Sequence, residues 1–300
     1  MITAPATVKE TKSDHFFDIT VYTLLTVVFL AVIYPLIYVV SASFSSPVAV
    51  LSGRVFLWPV EPGLDGYEAV FQSRVIWRAY GNTFFYTGFG TLINVVLTIL
   101  AAYPLSRRDL VGRDLVMFFF GFTMFFGGGI IPLYILVRDL GMVNTRWAML
   151  IPNAMAVWNV ILTRTYFQST IPGELLESAQ IDGCSNSRFI WSVVLPLSKP
   201  IIAVIALFYG VMHWNTFFHA LIFLRDSRLY PLQIVLREIL IQGQVDNTMM
   251  MDIEQQQQRE MLSALLKYAL IVVASVPVLM IYPFVQKYFV KGVMIGAIKG

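Results

Sequence analysis

The sequence is poor in charged residues: Asp, Glu, Lys and Arg make up 13% of 300 residues, whereas hydrophobic residues make up 57%. An ordinary soluble surface needs roughly a quarter charged residues. This shortage excludes a typical soluble domain and indicates an integral membrane protein. The formal net charge is only +3, which is too small to indicate a nucleic-acid-binding protein.

The residues that carry common chemistry are also scarce. Cys184 is the single cysteine, so no internal disulfide can form. There is no G-x-x-x-x-G-K-[ST] loop, so we expect no ATP binding by this chain. His213 and His219 are six residues apart, and would point about 240° apart on a helix, which disfavours a metal site. Without Gly-x-Ser-x-Gly or His-Glu-x-x-His we predict no catalytic residues and no enzyme activity.

Long apolar runs predict an all-α membrane protein with six transmembrane helices. Each run has enough residues, at ~1.5 Å per residue, to cross a hydrocarbon core of ~30 Å. The predicted spans are residues 19–41, 83–103, 115–137, 147–167, 201–224 and 264–284. The stretch Ser41-Ala42-Ser43 resembles a signal-peptidase site, but a signal core has only about 7 to 15 apolar residues. We therefore expect the first span to be an uncleaved anchor.

Six spans place both termini on one side, and the compact basic turn with Arg107, Arg108 and Arg113 favours the cytoplasmic side. The predicted organisation has four parts. These are a cytoplasmic N-terminal segment (1–18), a first helix with an extracytoplasmic loop (19–79), a core (80–285) and a cytoplasmic tail (286–300). Within the core we predict a cytoplasmic loop at 168–200 and an extracytoplasmic loop at 225–263.

A charged island at residues 171–196 separates two apolar spans. Pro172 favours a helix start, and good helix formers continue to Ile181. Leu175, Leu176 and Ala179 would form a narrow apolar stripe on that helix. Gly183 should end it, and Ser185 should cap a second short helix that Pro196 stops. Two short helices bent at a glycine predict a docking element.

The same stretch resembles the EAA loop, in which Glu-Ala-Ala, three residues, Gly, nine residues and Ile-x-Leu-Pro follow one another. The matching positions are Glu177, Ala179, Gly183, Leu195 and Pro196; Ser178 and Val193 replace an Ala and the Ile. This loop is typical of the membrane-spanning permeases of binding-protein-dependent ABC importers. The alternative is an ordinary amphipathic connector between membrane helices.

The resemblance implies a type I ABC importer permease fold in the cytoplasmic (inner) membrane, with lipid around it. It implies a heterodimer with a second permease subunit, two ATP-binding subunits that hold ATP and Mg, and an extracytoplasmic solute-binding protein. No cofactor is implied in this chain. The residues expected to dock the ATPase are Glu174, Leu175, Leu176, Glu177, Ala179, Asp182, Gly183, Leu195 and Pro196.

Other stretches are similar to the carbohydrate branch of these permeases, the kind related to the second maltose permease subunit. They are Tyr80-Gly81-Asn82-Thr83, residues 128–132, Trp214-Asn215 and residues 293–300. Arg225-Asp226 and residues 232–238 and 286–289 look most like the oligosaccharide group with aldouronate and alginate permeases. The implied substrate is a carbohydrate, specifically an oligosaccharide, which can contain uronate sugars.

Candidates for a translocation path come from breaks and polar residues inside spans. Gly127-Gly128-Gly129 and Pro132 interrupt the third span, which suits a helix lining a path but equally suits close glycine packing. Polar residues in a span should face protein or water. The candidates are Gly128, Gly129, Asn159, His213, Trp214, Asn215 and His219. The alternative for span five is hydrogen bonding to a partner subunit.

Two regions are expected to meet other partners. The long polar stretch from Asp226 to Ser263 should face the binding protein, and residues 242–258 within it are the candidate for contact with that protein. The tail, with Gly296, Lys299 and Gly300, resembles one that reaches between the ATPase subunits of maltose-type importers.

Two other functions fit the sequence less well. A self-sufficient secondary transporter would need inverted repeats and an ionisable pair near the midplane, and the sequence shows neither. A purely structural membrane component would need neither the docking loop nor the broken span.

Overall fold

A computed structural model describes residues 12–245, 261, 263–264, 266–281, 283 and 286. These residues form α-helices, one 3-10 turn and one π turn, and the described part contains no strand. The predicted all-α class is confirmed. The chain divides into two compact units. One holds residues 12–72 and the described residues between 242 and 273; the other holds residues 73–241 and the described residues from 274 onward.

The first unit begins with a helix of 32 residues, α1 (Lys12–Ser43). At ~1.5 Å per residue it is about 48 Å long, and its apolar side chains are exposed along most of its length. The loop after it carries two short helices, α2 (Pro47–Leu51) and α3 (Asp65–Gln72). The Ser43 hydroxyl hydrogen-bonds the Tyr67 hydroxyl at 2.8 Å, which ties the end of α1 to α3.

The second unit is built around a helix of 33 residues, α4 (Arg74–Ser106). It is followed by α5 (Arg113–Phe125), α6 (Ile130–Asp139), α7 (Trp147–Leu150), α8 (Val157–Thr170), α9 (Gly173–Ile181), α10 (Asn186–Phe189), a π turn (Ile190–Val194), α11 (Leu195–Leu197), α12 (Lys199–Trp214), α13 (Phe218–Phe223), a 3-10 turn (Ser227–Leu229) and α14 (Leu232–Val245). A last apolar helix, α15, covers Leu266–Ile281.

The helices able to cross a membrane in the described part of the chain are fewer than the predicted six. Among the described residues, two helices, α1 and α4, are long and apolar enough to cross a membrane. The count rises to four if two bent pairs are each one span: α5 with α6, bent by 113°, and α10–α11 with α12, bent by 83°. The six-helix count is therefore not confirmed.

The predicted fourth and fifth spans are not continuous helices. The fourth is divided into α7 and α8 by residues 151–156, and the fifth is divided into α12 and α13 after Trp214. Apolar content predicts that a stretch lies in the membrane, but it does not show where the helix breaks. The breaks depend on side chains of other helices that satisfy the freed backbone groups.

Two such side chains support the segment between α7 and α8. The side-chain amide of Asn94, in α4, donates to the Asn153 backbone carbonyl at 2.8 Å. The Ala156 amide donates to the Tyr209 hydroxyl of α12 at 3.0 Å, and that hydroxyl also bonds Thr98 at 2.7 Å. Irregular backbone at membrane depth is tolerated where protein groups satisfy it in this way.

The core of the second unit lies where α4 packs against α8 and α12. Large apolar side chains are fully buried there, including Phe167, Phe189 and Ile205. α4 and α12 approach closely at Gly90, because a Cβ built on this glycine would lie 2.4 Å from His213 Nε2. Glycine is therefore required at residue 90 by close packing.

Candidate functional site

The predicted docking loop folds as two helices joined at a glycine. The first helix, α9, begins one residue later than predicted, after Pro172, and ends at Ile181 as predicted. The Ser185 hydroxyl accepts a hydrogen bond from the Arg188 amide at 3.4 Å and caps α10, also as predicted. The second helical stretch continues one residue past Pro196, to Leu197. A π turn precedes Pro196, whose ring nitrogen cannot donate to the helix.

The bend at Gly183 is a Schellman motif. Gly183 has φ of +71°, which L side chains rarely adopt. Its amide donates to the Gln180 carbonyl at 3.0 Å, and the Cys184 amide donates back to the Ala179 carbonyl at 2.8 Å. These two bonds satisfy carbonyls at the end of α9 and fix the direction of the chain that follows.

The apolar stripe of α9 is used mostly inside the protein. Leu176, Ala179 and Cys184 pack against the core that contains Phe189. Leu175 stays 39% exposed. Leu176 and Ala179 are half-buried and hold α9 on its own chain, whereas Leu175 is exposed. Docking of an ATPase through this stripe stays a prediction.

Sequence reasoning missed two exposed apolar side chains in this loop. Ile181 is 86% exposed, and Trp191 is 73% exposed. Neither belongs to the helical stripe, so periodicity did not single them out. Large apolar groups exposed on a polar loop are typical of a protein contact surface. We call Leu175, Ile181 and Trp191 the docking surface.

The other predicted docking residues are mostly accessible. Glu174, Glu177, Asp182 and Pro196 are exposed, and Leu195 is half-buried beside the core. A cleft of about 830 Å³ lies beside Glu174 and Glu177. The cleft is also lined by the basic turn after α4, with Arg107, Arg108 and Arg113.

Arg107 connects this turn to the loop. Its guanidinium donates to Asn186 Oδ1 at 2.7 Å and, through Nε, to Asp109 Oδ1 at 2.8 Å. The hydrogen bond with Asp109 raises the pKa of Arg107, and the same bond lowers the pKa of the Asp109 carboxyl. Both groups are therefore charged near neutral pH, and the ion pair orients the arginine toward Asn186.

The predicted path residues fall into two groups. Asn159, His213 and Trp214 are buried within the chain, at 5%, 3% and 5% exposure, and their place on a path stays a prediction. His213 Nε2 lies 3.3 Å from Asn94 Oδ1, and the Trp214 indole donates to the Ala274 carbonyl at 3.1 Å. Polar groups at membrane depth find partners on neighbouring helices, and here those partners belong to the same chain.

The remaining path candidates have accessible surface. Gly128 and Gly129 lie in the break between α5 and α6, where Gly129 has φ of +79°. Asn215 is exposed and donates to the Val211 carbonyl at 2.9 Å. His219 is half-buried and lies 3.1 Å from Asn153 Nδ2. The tail residues Gly296, Lys299 and Gly300 lie outside the described residues.

Comparison with known proteins gives one family. Residues 94–295 match the family of binding-protein-dependent transport system inner membrane components. The polygalacturonan/rhamnogalacturonan transport system permease protein YtcP of Bacillus subtilis (strain 168) is 41% identical over 293 residues, covering 96% of this chain and 99% of YtcP. Protein LplC of the same organism is 39% identical, covering 98% of each chain.

A solved structure agrees with this assignment. It is the crystal structure of a bacterial ABC transporter involved in the import of the acidic polysaccharide alginate. The match has a TM-score of 0.85 and 36% identity, and it covers 94% of this chain and 100% of the matched chain. These matches exclude the alternative of a self-sufficient secondary transporter. The chain belongs to the binding-protein-dependent transport system inner membrane components, the permease family of ABC importers.

Proposed function

We propose that this chain is one of two permease subunits of an ABC importer that carries an oligosaccharide, specifically an acidic one, inward across the cytoplasmic membrane. Two separate ATP-binding subunits hydrolyse ATP and dock on the loop from α9 to α11. The observation that carries this proposal is the bent pair of helices at Gly183, with Ile181 and Trp191 exposed on it.

The loop is anchored so that a displacement of it is transmitted to the membrane helices. Leu176 and Phe189 anchor it in the core formed by α4, α8 and α12, and Arg107 joins its second helix to the end of α4. A displacement of the docking surface cannot be absorbed by the loop alone, because packed cores rearrange as units. ATPase closure can thereby supply a coupling free energy between two states of the spans.

The path itself would use the accessible candidates. Gly128, Gly129 and Asn215 are exposed, whereas His213 and Trp214 are buried within the chain. A heterodimer would place such surfaces opposite the second permease subunit. The proposed path for the carbohydrate therefore runs past these exposed residues.

The substrate class rests on similarity. Two of the matched proteins belong to transport systems named for polysaccharides: polygalacturonan/rhamnogalacturonan in one, and the acidic polysaccharide alginate in the other. Uronate sugars are the chemical feature that these polymers share. We therefore propose a uronate-containing oligosaccharide, delivered by an extracytoplasmic solute-binding protein.

Two partner contacts are proposed for regions that are wholly or partly outside the described residues. Residues 226–263 would face the binding protein; their described part includes the 3-10 turn and α14, so this stretch is not a simple loop. The tail at 294–300 would reach the ATPase subunits. Both termini would then be cytoplasmic.

The test is reconstitution of the full complex in proteoliposomes. Uptake of a radiolabelled oligogalacturonate should require ATP inside, the binding protein outside and an intact docking surface. The triple variant Leu175→Ala, Ile181→Ala and Trp191→Ala should lose the ATPase during purification, with the two permeases still inserted. Uptake without ATP, or full uptake by the triple variant, would refute the proposal.

A further inference from the structure

A cluster of arginines lies at the N-terminal end of α4. Asp226 is its centre, because Arg228 Nε lies 2.9 Å from Asp226 Oδ2. Arg228 lowers the pKa of the Asp226 carboxyl, and Arg78 lowers it less strongly. The side-chain amide of Asn82, in α4, donates to the Arg228 backbone carbonyl at 2.8 Å. This bond fixes the Arg228 segment beside the first turns of α4, which carry Arg78.

Asn144 positions a third arginine in the same place. Its side-chain oxygen accepts from the Arg225 amide at 2.9 Å and from the Asp226 amide at 2.8 Å. Asn144 itself has φ of +61°, a strained conformation that asparagine tolerates better than most residues. The Arg225 guanidinium donates to the Tyr134 hydroxyl at 3.3 Å.

The fourth member is Arg146, two residues after Asn144. Its guanidinium carbon lies 4.6 Å from the centre of the Phe85 ring, in a cation–π contact. We call Arg78, Arg146, Arg225 and Arg228 the arginine patch. All four side chains are exposed.

The patch has more positive charge than its own carboxylate neutralises. Arg228 is paired with Asp226 at 2.8 Å. The other three guanidinium groups form no salt bridge with a carboxylate in the described part of the chain. Exposed arginines in this state are available to an anionic ligand, because the planar guanidinium matches a carboxylate with two parallel hydrogen bonds.

The patch and the docking loop lie at opposite ends of α4. Arg78 is one turn into the helix and Arg107 immediately follows its last residue, a separation of about 43 Å along a straight helix. That length exceeds a hydrocarbon core of ~30 Å. If the docking loop is cytoplasmic, the patch faces the side from which substrate arrives.

Aromatic rings accompany the arginines. Trp77 is 56% exposed and lies next to Arg78 in sequence, with its ring centre 6.4 Å from that of Tyr80. Flat apolar rings suit the C–H faces of pyranose sugars. Carboxylate-binding groups beside the exposed Trp77 ring therefore suit an acidic sugar.

We propose that the arginine patch is an entry site that binds the carboxylates of a uronate oligosaccharide on its way into the path. This inference rests on the proposed function and deepens it by assigning substrate selection to this chain. The patch would select for charge, and a neutral oligosaccharide of the same length would gain little from it.

The probe is trigalacturonate, and its fully methyl-esterified form is the neutral control. Saturation-transfer NMR would measure binding of each to the complex of both permeases and the ATP-binding subunits, without the binding protein, in nanodiscs of phosphatidylcholine. We expect binding of the acid form only, weakened by added salt. The double variant Arg78→Gln, Arg225→Gln should weaken it by about tenfold or more. Arg138→Gln is the matched control, because Arg138 is already paired with Asp139 at 2.9 Å.

Several results would overturn the inference. They are equal binding of both sugar forms, no loss in the double variant, or loss of the signal when anionic lipid is added to the nanodiscs. A double variant that loses stimulation by binding protein loaded with either sugar form would assign the patch to protein docking instead. Absent uptake with intact trigalacturonate binding would refute the proposed function alone, and intact uptake without binding would refute this inference alone.

Discussion

Arg107, which follows the last residue of α4, donates a 2.7 Å hydrogen bond to the side chain of Asn186, the first residue of α10. This bond joins the longest helix of the second unit to the second helix of the docking loop. Because the other end of α4 carries the arginine patch, one helix connects both proposed sites. Movement of the loop can therefore be transmitted along α4 to the substrate side, and no other helix is needed for it.

Replacing Arg107 with glutamine should loosen the loop without releasing the ATPase. Hydrogen bonds to charged groups contribute up to about 3 kcal/mol, but this one is partly exposed, so we expect about 1 kcal/mol. Amide hydrogen exchange in α10 should accelerate about fivefold. Arg108→Gln is the matched control, because this neighbouring arginine is exposed and makes no hydrogen bond to the loop in the described part of the chain.

A double-mutant cycle identifies the bond itself. Arg107→Gln and Asn186→Ala should each accelerate exchange, and the double variant should be no worse than either alone. Additive effects would show that Arg107 acts through the cleft and not through Asn186.

Gly183→Val should disrupt the bend, whereas Gly183→Asn should preserve it. No atom would clash with a Cβ at residue 183, so the effect comes from the positive φ alone, at a cost of about 1–2 kcal/mol for most residues. Asparagine tolerates this conformation. Cys184 is the one cysteine and is half-buried beside the bend, so its rate of maleimide labelling reports the change. Equal labelling of both variants would contradict the Schellman assignment.

Gly90→Ala should destabilise the packing of α4 on α12. The added Cβ would meet the His213 ring at 2.4 Å, and such overpacking costs about 1–3 kcal/mol. Gly88→Ala, also in α4, is the matched control, because nothing lies within 4 Å of its Cβ. Thermal unfolding in detergent should show a lower midpoint for Gly90→Ala only. His213→Ala should partly restore it; no interaction between the two changes would argue against this contact.

Tyr209→Phe should weaken the segment between α7 and α8. The change removes the 3.0 Å acceptor of the half-buried Ala156 amide and the 2.7 Å partner of buried Thr98, and a buried polar group left without a partner costs about 1–3 kcal/mol. Proteolysis or hydrogen exchange at residues 151–156 should increase. Tyr166→Phe loses a weaker, 3.3 Å bond to the Leu197 carbonyl and should leave that segment unchanged.

Sequence reasoning predicted the parts that depend on local rules. Gly183 as a helix end, Ser185 as a cap and the break at Gly127 to Gly129 all follow from backbone preferences of single residues. The docking loop was predicted from the spacing from Glu177 to Pro196, which lies within residues 94–295 that match the family.

The rest depended on contacts between distant parts of the chain. Leu176 faces its own core and Ile181 faces solvent, although both are apolar residues of the same short helix. His213 is buried because Gly90, more than a hundred residues earlier, leaves space for its ring. The arginine patch forms through Asn144 and Asn82, whose partners lie about eighty and about 150 residues away. No pattern within a short window could show these pairings.

The docking surface is tested most directly by photo-cross-linking in the assembled complex. Benzoyl-phenylalanine would replace Ile181 or Trp191, with Trp58, 81% exposed in the first unit, as the control position. We predict that Ile181 and Trp191 cross-link to the ATP-binding subunit in high yield and that Trp58 does not. Yields at Ile181 and Trp191 no higher than at Trp58, in a complex that still imports its sugar, would contradict the claim that this loop couples ATP hydrolysis to transport.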